Sequence, residues 1–161
     1  MIADGRPLLV AGGGAGTRQD VDHDGCDAHL DEYAGTGSSS LASWDCLPKL
    51  GDLALGGIVS GASWGSAGAG YDGTGAIDTP WGTEVAQGWP SFTGGGGLTT
   101  QGGFGGGGSG DGSCGGGGGG GYSGGDGGRL AGGGGSLNTG AATSAGLAAD
   151  RDHGHVTIEP E

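Results

Sequence analysis

The feature that most constrains this sequence is a block of glycine in its C-terminal half. Positions 94–135 hold 27 glycines in 42 residues, and Gly115–Gly121 is an unbroken run of seven. Glycine loses more backbone entropy on folding than any other residue and brings no side chain to a core. The block is therefore either disordered or folded by using the close approach of backbones as its packing device.

Three glycine-rich architectures are distinguishable from the spacing. Collagen needs glycine at every third position with abundant proline, whereas this chain has unbroken glycine runs and only five prolines. A flexible linker lacks anchors, whereas this block is punctuated by Phe104, Cys114, Tyr122 and Leu130. The third is polyglycine II, in which extended helices with three residues per turn pack side by side and satisfy one another's N–H and C=O groups.

The remainder of the 161 residues predicts a single domain over 1–161. We divide it into N-terminal strands and loops (6–93), the polyglycine block (94–135), and a closing strand and tail (136–161). The run Leu8–Val10 predicts a strand, because it is short, apolar and stopped by glycines, and 155–158 predicts another. The best candidates for an ordinary core are Leu41, Trp44, Leu47, Leu50, Leu53, Leu55, Ile58 and Val59.

The charge balance excludes several partners. Eighteen acidic residues against five basic ones give a net charge of −13, which argues against nucleic acid and anionic membranes as ligands. No stretch approaches the roughly 18 apolar residues of a membrane helix, and the N-terminus shows no signal peptide. We therefore expect no membrane insertion by this chain.

No catalytic motif stands out. The kinase sequences Val-Ala-Ile-Lys, His-Arg-Asp and Asp-Phe-Gly are absent. Gly-x-Ser-x-Gly occurs around Ser63 and Ser123, but chance alone produces such matches at this glycine and serine content. The sequence therefore predicts a non-enzymatic chain that needs no cofactor.

The sharpest local motif is the acidic stretch 20–32, which fits the Asp-x-Asp-x-Asp-Gly template of a calcium loop. Its ligands would be the side chains of Asp20, Asp22, Asp24 and Asp31 and the carbonyl of Cys26. Against a helix–loop–helix site, the flanks are not helical, and Asp31 reaches less far than the usual glutamate. The alternatives are a looser calcium loop and a solvated acidic surface.

The cysteine count of three leaves the disulfide arrangement open. Cys26, Cys46 and Cys114 allow three pairings with one thiol left over. A bond from Cys114 to Cys46 or to Cys26 would tether the glycine block to the N-terminal half, and we take Cys46–Cys114 as the working pair.

An ordered set of glycine-rich and aromatic motifs carries a family resemblance. Its members are Leu8-Leu9-Val10-Ala11-Gly12-Gly13-Gly14, Trp89-Pro90-Ser91-Phe92-Thr93-Gly94-Gly95, Gly102-Gly103-Phe104-Gly105-Gly106-Gly107-Gly108, Cys114 with Gly115–Gly121-Tyr122-Ser123, Ala131-Gly132-Gly133-Gly134-Gly135-Ser136-Leu137, and Gly154-His155-Val156-Thr157-Ile158. Over about residues 6–158 this resembles the glycine-rich extracellular domain of the anaplastic lymphoma kinase and leukocyte tyrosine kinase receptors, a domain type that also occurs in proteins without a kinase.

The resemblance implies a mainly β fold with little or no helix: a tumour-necrosis-factor-like β-sandwich with an inserted polyglycine II helix bundle. It also implies an extracellular or cell-surface location. The chain departs from the pattern in its less glycine-rich segment before Trp89 and in the single cysteine of its glycine block.

We therefore expect a non-catalytic structural or recognition module with a protein or glycan ligand. One alternative is an extracellular fragment of a receptor tyrosine kinase, whose membrane helix and kinase would lie elsewhere. Another is a calcium-dependent adhesive or matrix protein. A disordered glycine-rich matrix protein is a further alternative, against which the anchored aromatics argue.

Overall fold

A computed structural model describes residues 1–17, 25–38, 46–59, 65–110, 115–140 and 146–147. Within those ranges no helix is present, and the strands are β1 (Ile2–Ala3), β2 (Arg6–Pro7), β3 (Leu9–Val10), β4 (Gly82–Glu84), β5 (Gly96–Gly97) and β6 (Leu137–Asn138). They form three antiparallel pairs: β1 with β2, β3 with β6, and β4 with β5. The expectation of a mainly non-helical chain is confirmed at this level.

The strand predicted at Leu8–Val10 is present as β3. It pairs with β6, so Val10 lies opposite Leu137 although 127 positions separate them in sequence. Before it, β1 and β2 form a hairpin whose turn residues Asp4 and Gly5 have φ of 49° and 72°. Two consecutive positive φ values are those of a hairpin turn that favours Asp-Gly. The strand predicted at 155–158 lies outside the described residues.

Two buried segments that belong to no strand, 65–71 and 115–121, form hydrogen bonds that repeat every three residues. Along 65–71, successive N–H groups turn to three different neighbours and then start again. Ser66 and Ala69 donate to the carbonyls of Ser109 and Gly106, in a first neighbouring segment. Ala67 and Gly70 donate to those of Ala76 and Gly73, in a second. Gly68 and Tyr71 donate to those of Gly125 and Tyr122, in a third, and all six bonds are 2.7–3.0 Å long. A β-strand would alternate between two sides, so this segment has the repeat of an extended threefold helix.

The glycine run 115–121 shows the same repeat. Its N–H groups serve two neighbours at three-residue intervals: Gly116, Gly119 and Tyr122 donate to Gly128, Gly132 and Gly135, while Gly118 and Gly121 donate to Ser66 and Ala69. On a further side, the carbonyls of Gly117 and Gly120 accept from the N–H groups of Gly16 and Gly13. The run is thus the centre of a bundle of extended segments, each bonded to several others.

Glycine is required in this bundle by space. A Cβ on Gly118 would lie 2.1 Å from the carbonyl oxygen of Gly125, and one on Gly125 would lie 2.0 Å from that of Gly132. Neither glycine has a positive φ. Among the glycines of the described ranges, positive φ values occur at Gly5, Gly51, Gly105 and Gly106. Backbones therefore touch where side chains would normally stand.

The ordinary core expected from the leucines of 34–60 is wrong. Leu47, Leu50, Leu53, Leu55 and Ile58 are 41–78% exposed, and Leu41 and Trp44 lie outside the described residues. The buried apolar side chains are mostly alanines (Ala34, Ala54, Ala67, Ala69, Ala86 and Ala131), joined by Cys26, Tyr71, Leu130 and Leu137. The reason is geometric, because segments in backbone contact leave little room for large side chains, so that few of them are buried and the leucines of 47–55 lie on the outside.

The disulfide joins Cys26 to Cys46, with Cα atoms 5.5 Å apart. This corrects the working pair Cys46–Cys114, since Cys46 cannot bond to both; Cys114 lies outside the described residues. Cys26 is buried against the bundle, where its N–H donates to the carbonyl of Ala131. Both cysteines lie in the N-terminal half of the chain, so the expected covalent tether from the glycine block through Cys114 is wrong for Cys26 and for Cys46.

Buried polar side chains attach the outer loops to the bundle. The Ser123 hydroxyl accepts from the N–H of Ala54 and donates to the carbonyl of Glu32. The Asp126 carboxylate accepts from the N–H of Ile58 at 2.8 Å and pairs with Lys49 at 3.3 Å. Ser123, the centre of one Gly-x-Ser-x-Gly match, is therefore buried and engaged in structural bonds.

Candidate functional site

The predicted calcium loop is described only in part. Asp20, Asp22 and Asp24 lie outside the described residues, so a calcium loop stays a prediction. The carbonyl of Cys26 accepts the N–H of Ala15 at 2.9 Å. The Asp31 carboxylate accepts the N–H of Tyr33 at 3.2 Å. Across the ranges that the structure describes, no three His, Cys, Asp or Glu side chains come together as metal ligands.

The structure instead gathers aromatic side chains at one end of the bundle. We call this surface the aromatic end and define it by Tyr71, Trp89, Phe92 and Phe104. Tyr71 stacks on Trp89 with ring centroids 6.1 Å apart, and Phe92 contacts the Trp89 ring edge-on at 5.8 Å. Gly105, next to Phe104, donates its N–H to the carbonyl of Phe92.

Burial divides the aromatic end into an anchor and exposed rings. Tyr71 is 4% exposed and its hydroxyl donates to the carbonyl of Gly5 at 2.8 Å. Burial, aided by the carboxylate of Asp72, raises the pKa of the Tyr71 phenol above its ordinary value. Trp89 is 45% exposed, and Phe104 is 98% exposed. The end thus presents aromatic surface to solvent on a fixed base.

Backbone bonds hold Trp89 in place. Its N–H donates to the carbonyl of Tyr71 at 2.9 Å, and the following turn is closed by the N–H groups of Ser91 and Phe92 on the carbonyl of Gly88. Phe92 has φ of 48°, a left-handed conformation that is costly for a bulky residue. Such a conformation persists only where its surroundings determine it, and here the three-ring contact does so.

A small cleft opens beside Trp89. It has a volume of about 140 Å³ and lies between the chain segments 72–74 and 87–91. Asp72, Thr74, Gln87 and Ser91 supply polar groups, Trp89 supplies the aromatic surface, and Gly73 and Gly88 complete the lining.

Comparisons of this chain with protein-family models, with curated proteins and with solved structures find no match. Among the residues that the structure places, no helix has the length and apolar character to cross a bilayer.

Proposed function

We propose that this chain is a non-catalytic, glycine-rich recognition module of the extracellular type, in which a polyglycine II bundle serves as the scaffold. The observation that carries the proposal is the division of side chains: the interior is mostly glycine and alanine, while many aromatic and aliphatic side chains, among them Trp89, Phe104 and the leucines of 47–55, face solvent. An exposed aromatic cluster on a fixed base is typical of a binding surface.

The three-residue repeat of hydrogen bonds supports the polyglycine II scaffold. Three residues per turn is the repeat of that helix, and lateral bonding to several neighbours satisfies backbone groups that have no bonds within their own helix. Ligands bind best to surfaces that need no ordering on association. A bundle tied together by its own backbone supplies such a surface.

The extracellular assignment and the finer fold are part of the same proposal. A disulfide that ties a loop to the bundle suits an oxidising compartment. The resemblance to the glycine-rich domain of the anaplastic lymphoma kinase family adds a tumour-necrosis-factor-like β-sandwich around the bundle. The pairing of β3 with β6, from opposite ends of the sequence, supports an outer sheet that encloses the glycine segments.

Hydrogen exchange tests the scaffold. We expect strong protection of the amides of 66–71 and of Gly116, Gly118, Gly119 and Gly121, because their N–H groups are buried and donate to backbone carbonyls. Exchange at the rate of an unfolded chain would refute the proposed polyglycine II scaffold. The resemblance to the receptor domain would then be one of amino-acid composition alone.

Binding to cell surfaces tests recognition. A biotin-tagged chain bound to streptavidin would be applied to a panel of cells and measured by flow cytometry. We expect Phe104→Ala to reduce staining, because Phe104 is the most exposed aromatic of the aromatic end, and Trp81→Ala to leave it unchanged. Equal staining by both variants and the parent, or none by the parent on any cell type, would count against recognition through this surface.

A further inference from the structure

The cleft beside Trp89 has the chemistry of a site for one neutral sugar ring, and we propose that it binds a neutral hexose unit of a glycan. This inference rests on the proposed recognition function and names the ligand class of the aromatic end. The argument uses the composition of the cleft, its size, its charge and its rigidity.

The cleft combines an aromatic surface with hydrogen-bonding groups. The C–H face of a pyranose is apolar and packs on the negative face of an aromatic ring, and Trp89, which is 45% exposed overall and stacks on Tyr71, is among the residues that line the cleft. The hydroxyls of the same ring need acceptors and donors at its edge. Asp72 offers a carboxylate, Gln87 an amide that both donates and accepts, and Thr74 a hydroxyl.

The size and charge of the cleft restrict the class of ligand that can bind there. A volume of about 140 Å³ is well below the 300–1,000 Å³ of pockets for drug-sized ligands, so it holds one ring of a longer chain. The residues that line it include Asp72 and no basic side chain, and the chain as a whole carries a net charge of −13. A sulfated or carboxylated sugar would be repelled, which leaves a neutral one.

The walls of the cleft are held before any ligand arrives. They are joined on one side by the bond from the N–H of Gly75 to the carbonyl of Ala86, and on the other by the bond from Trp89 to Tyr71. Gly88 leaves no room for movement, since a Cβ there would lie 1.9 Å from the carbonyl oxygen of Gly70. The site therefore loses little entropy on binding, which a weak single-ring contact requires.

The test is a ¹H–¹⁵N NMR titration of the folded chain with the methyl glycosides of glucose, galactose, mannose and N-acetylglucosamine. We expect at least one to give saturable shifts at the Trp89 indole and at Asp72 and Gln87, with a Kd of the order of 1 mM. Asp72→Asn should weaken binding by about tenfold, since a charged acceptor is lost. Trp89→Ala should abolish binding, whereas Trp81→Ala, an exposed tryptophan outside the cleft, should not change it.

Three outcomes would overturn the inference: no saturable shift at these residues up to about 50 mM of any of the four sugars, binding that survives both Asp72→Asn and Gln87→Ala, or tighter binding of a sulfated disaccharide. Should Trp89→Ala fail to fold, the Asp72 and Gln87 variants decide alone, because both side chains are exposed. Protected glycine amides together with a failed titration would refute only the glycan site. Unprotected amides would refute the scaffold itself.

Discussion

Adding one methyl group at the centre of the bundle tests the packing most directly. In Gly118→Ala the new Cβ would lie 2.1 Å from the carbonyl oxygen of Gly125 and 2.8 Å from the nitrogen of Gly68. Those two atoms form a hydrogen bond of 2.9 Å. The methyl group would therefore stand against an existing hydrogen bond between two neighbouring segments, and the segments would have to separate by roughly 1.5 Å to reach ordinary contact.

The cost has two parts. Overpacking a closely packed interior costs about 1–3 kcal/mol, and leaving a buried donor and acceptor without partners costs about 1–3 kcal/mol for each group. The lower entropy of the unfolded alanine chain returns about 0.4–1 kcal/mol. We expect Gly118→Ala to lower the free energy of unfolding by about 2–8 kcal/mol, a large share of the 5–15 kcal/mol of an ordinary domain.

Gly103→Ala is the matched control. Gly103 is exposed, has no positive φ, and a Cβ there meets nothing within 4 Å. We expect it to be neutral or to stabilise the fold by up to about 1 kcal/mol, through the unfolded state alone. Urea denaturation followed by tryptophan fluorescence gives both free energies. Equal stabilities for the two variants would refute the argument that backbone contact packs this protein.

Three further predictions concern single groups. Burial raises the pKa of the Tyr71 phenol above 10.0, so the folded chain keeps this proton to a higher pH than the unfolded chain does. The free energy of unfolding should therefore fall as pH rises above 10, and it should fall less steeply in Tyr71→Phe. Denaturation at stepped pH measures both slopes. Replacing Cys26 and Cys46 by alanine should cost about 3 kcal/mol, given a loop of 20 residues, and the parent measured in reductant should match that variant. Lys49→Met should destabilise the fold by about 1–3 kcal/mol, because the Asp126 carboxylate is buried and loses its cation; Asp126→Asn in the Lys49→Met background should recover part of that loss.

The sequence predicted the elements that depend on local chemistry. The Leu8–Val10 run became β3 because an apolar run bounded by glycine has few other choices. The Asp4-Gly5 hairpin was equally readable from its turn dipeptide but was missed, since the flanking strands have only two residues each. Both features are set within a few positions of the chain.

The pattern of buried and exposed side chains could not be predicted by the rule that places aliphatic residues in the core. Five aliphatic residues of 47–58 were expected inside and are exposed, because the rule that places leucine in a core assumes segments separated by side chains. Where glycine brings backbones into contact, the interior is filled mostly by glycine and alanine, and few large side chains (Tyr71, Leu130 and Leu137) are buried. The disulfide partner of Cys46 could not be predicted from the sequence for a related reason. The partner depends on which segment packs beside Cys46, and this is set by the order of segments in the bundle.

This backbone packing changes which side chains stabilise the fold and which remain exposed on the surface. In most domains aromatic and aliphatic side chains are committed to the core, and few remain for contact with partners. Here hydrogen bonds between backbones hold the interior, and Trp89, Phe104 and the leucines of 47–58 stay exposed. Substitutions at Phe104 and at the leucines of 47–58 should cost the bundle little, because these side chains are exposed, whereas Gly118 and Gly125 have no room for a Cβ. A scaffold of this kind would suit the proposed recognition function, because most of the residues that pack the bundle are not the exposed aromatic and aliphatic residues.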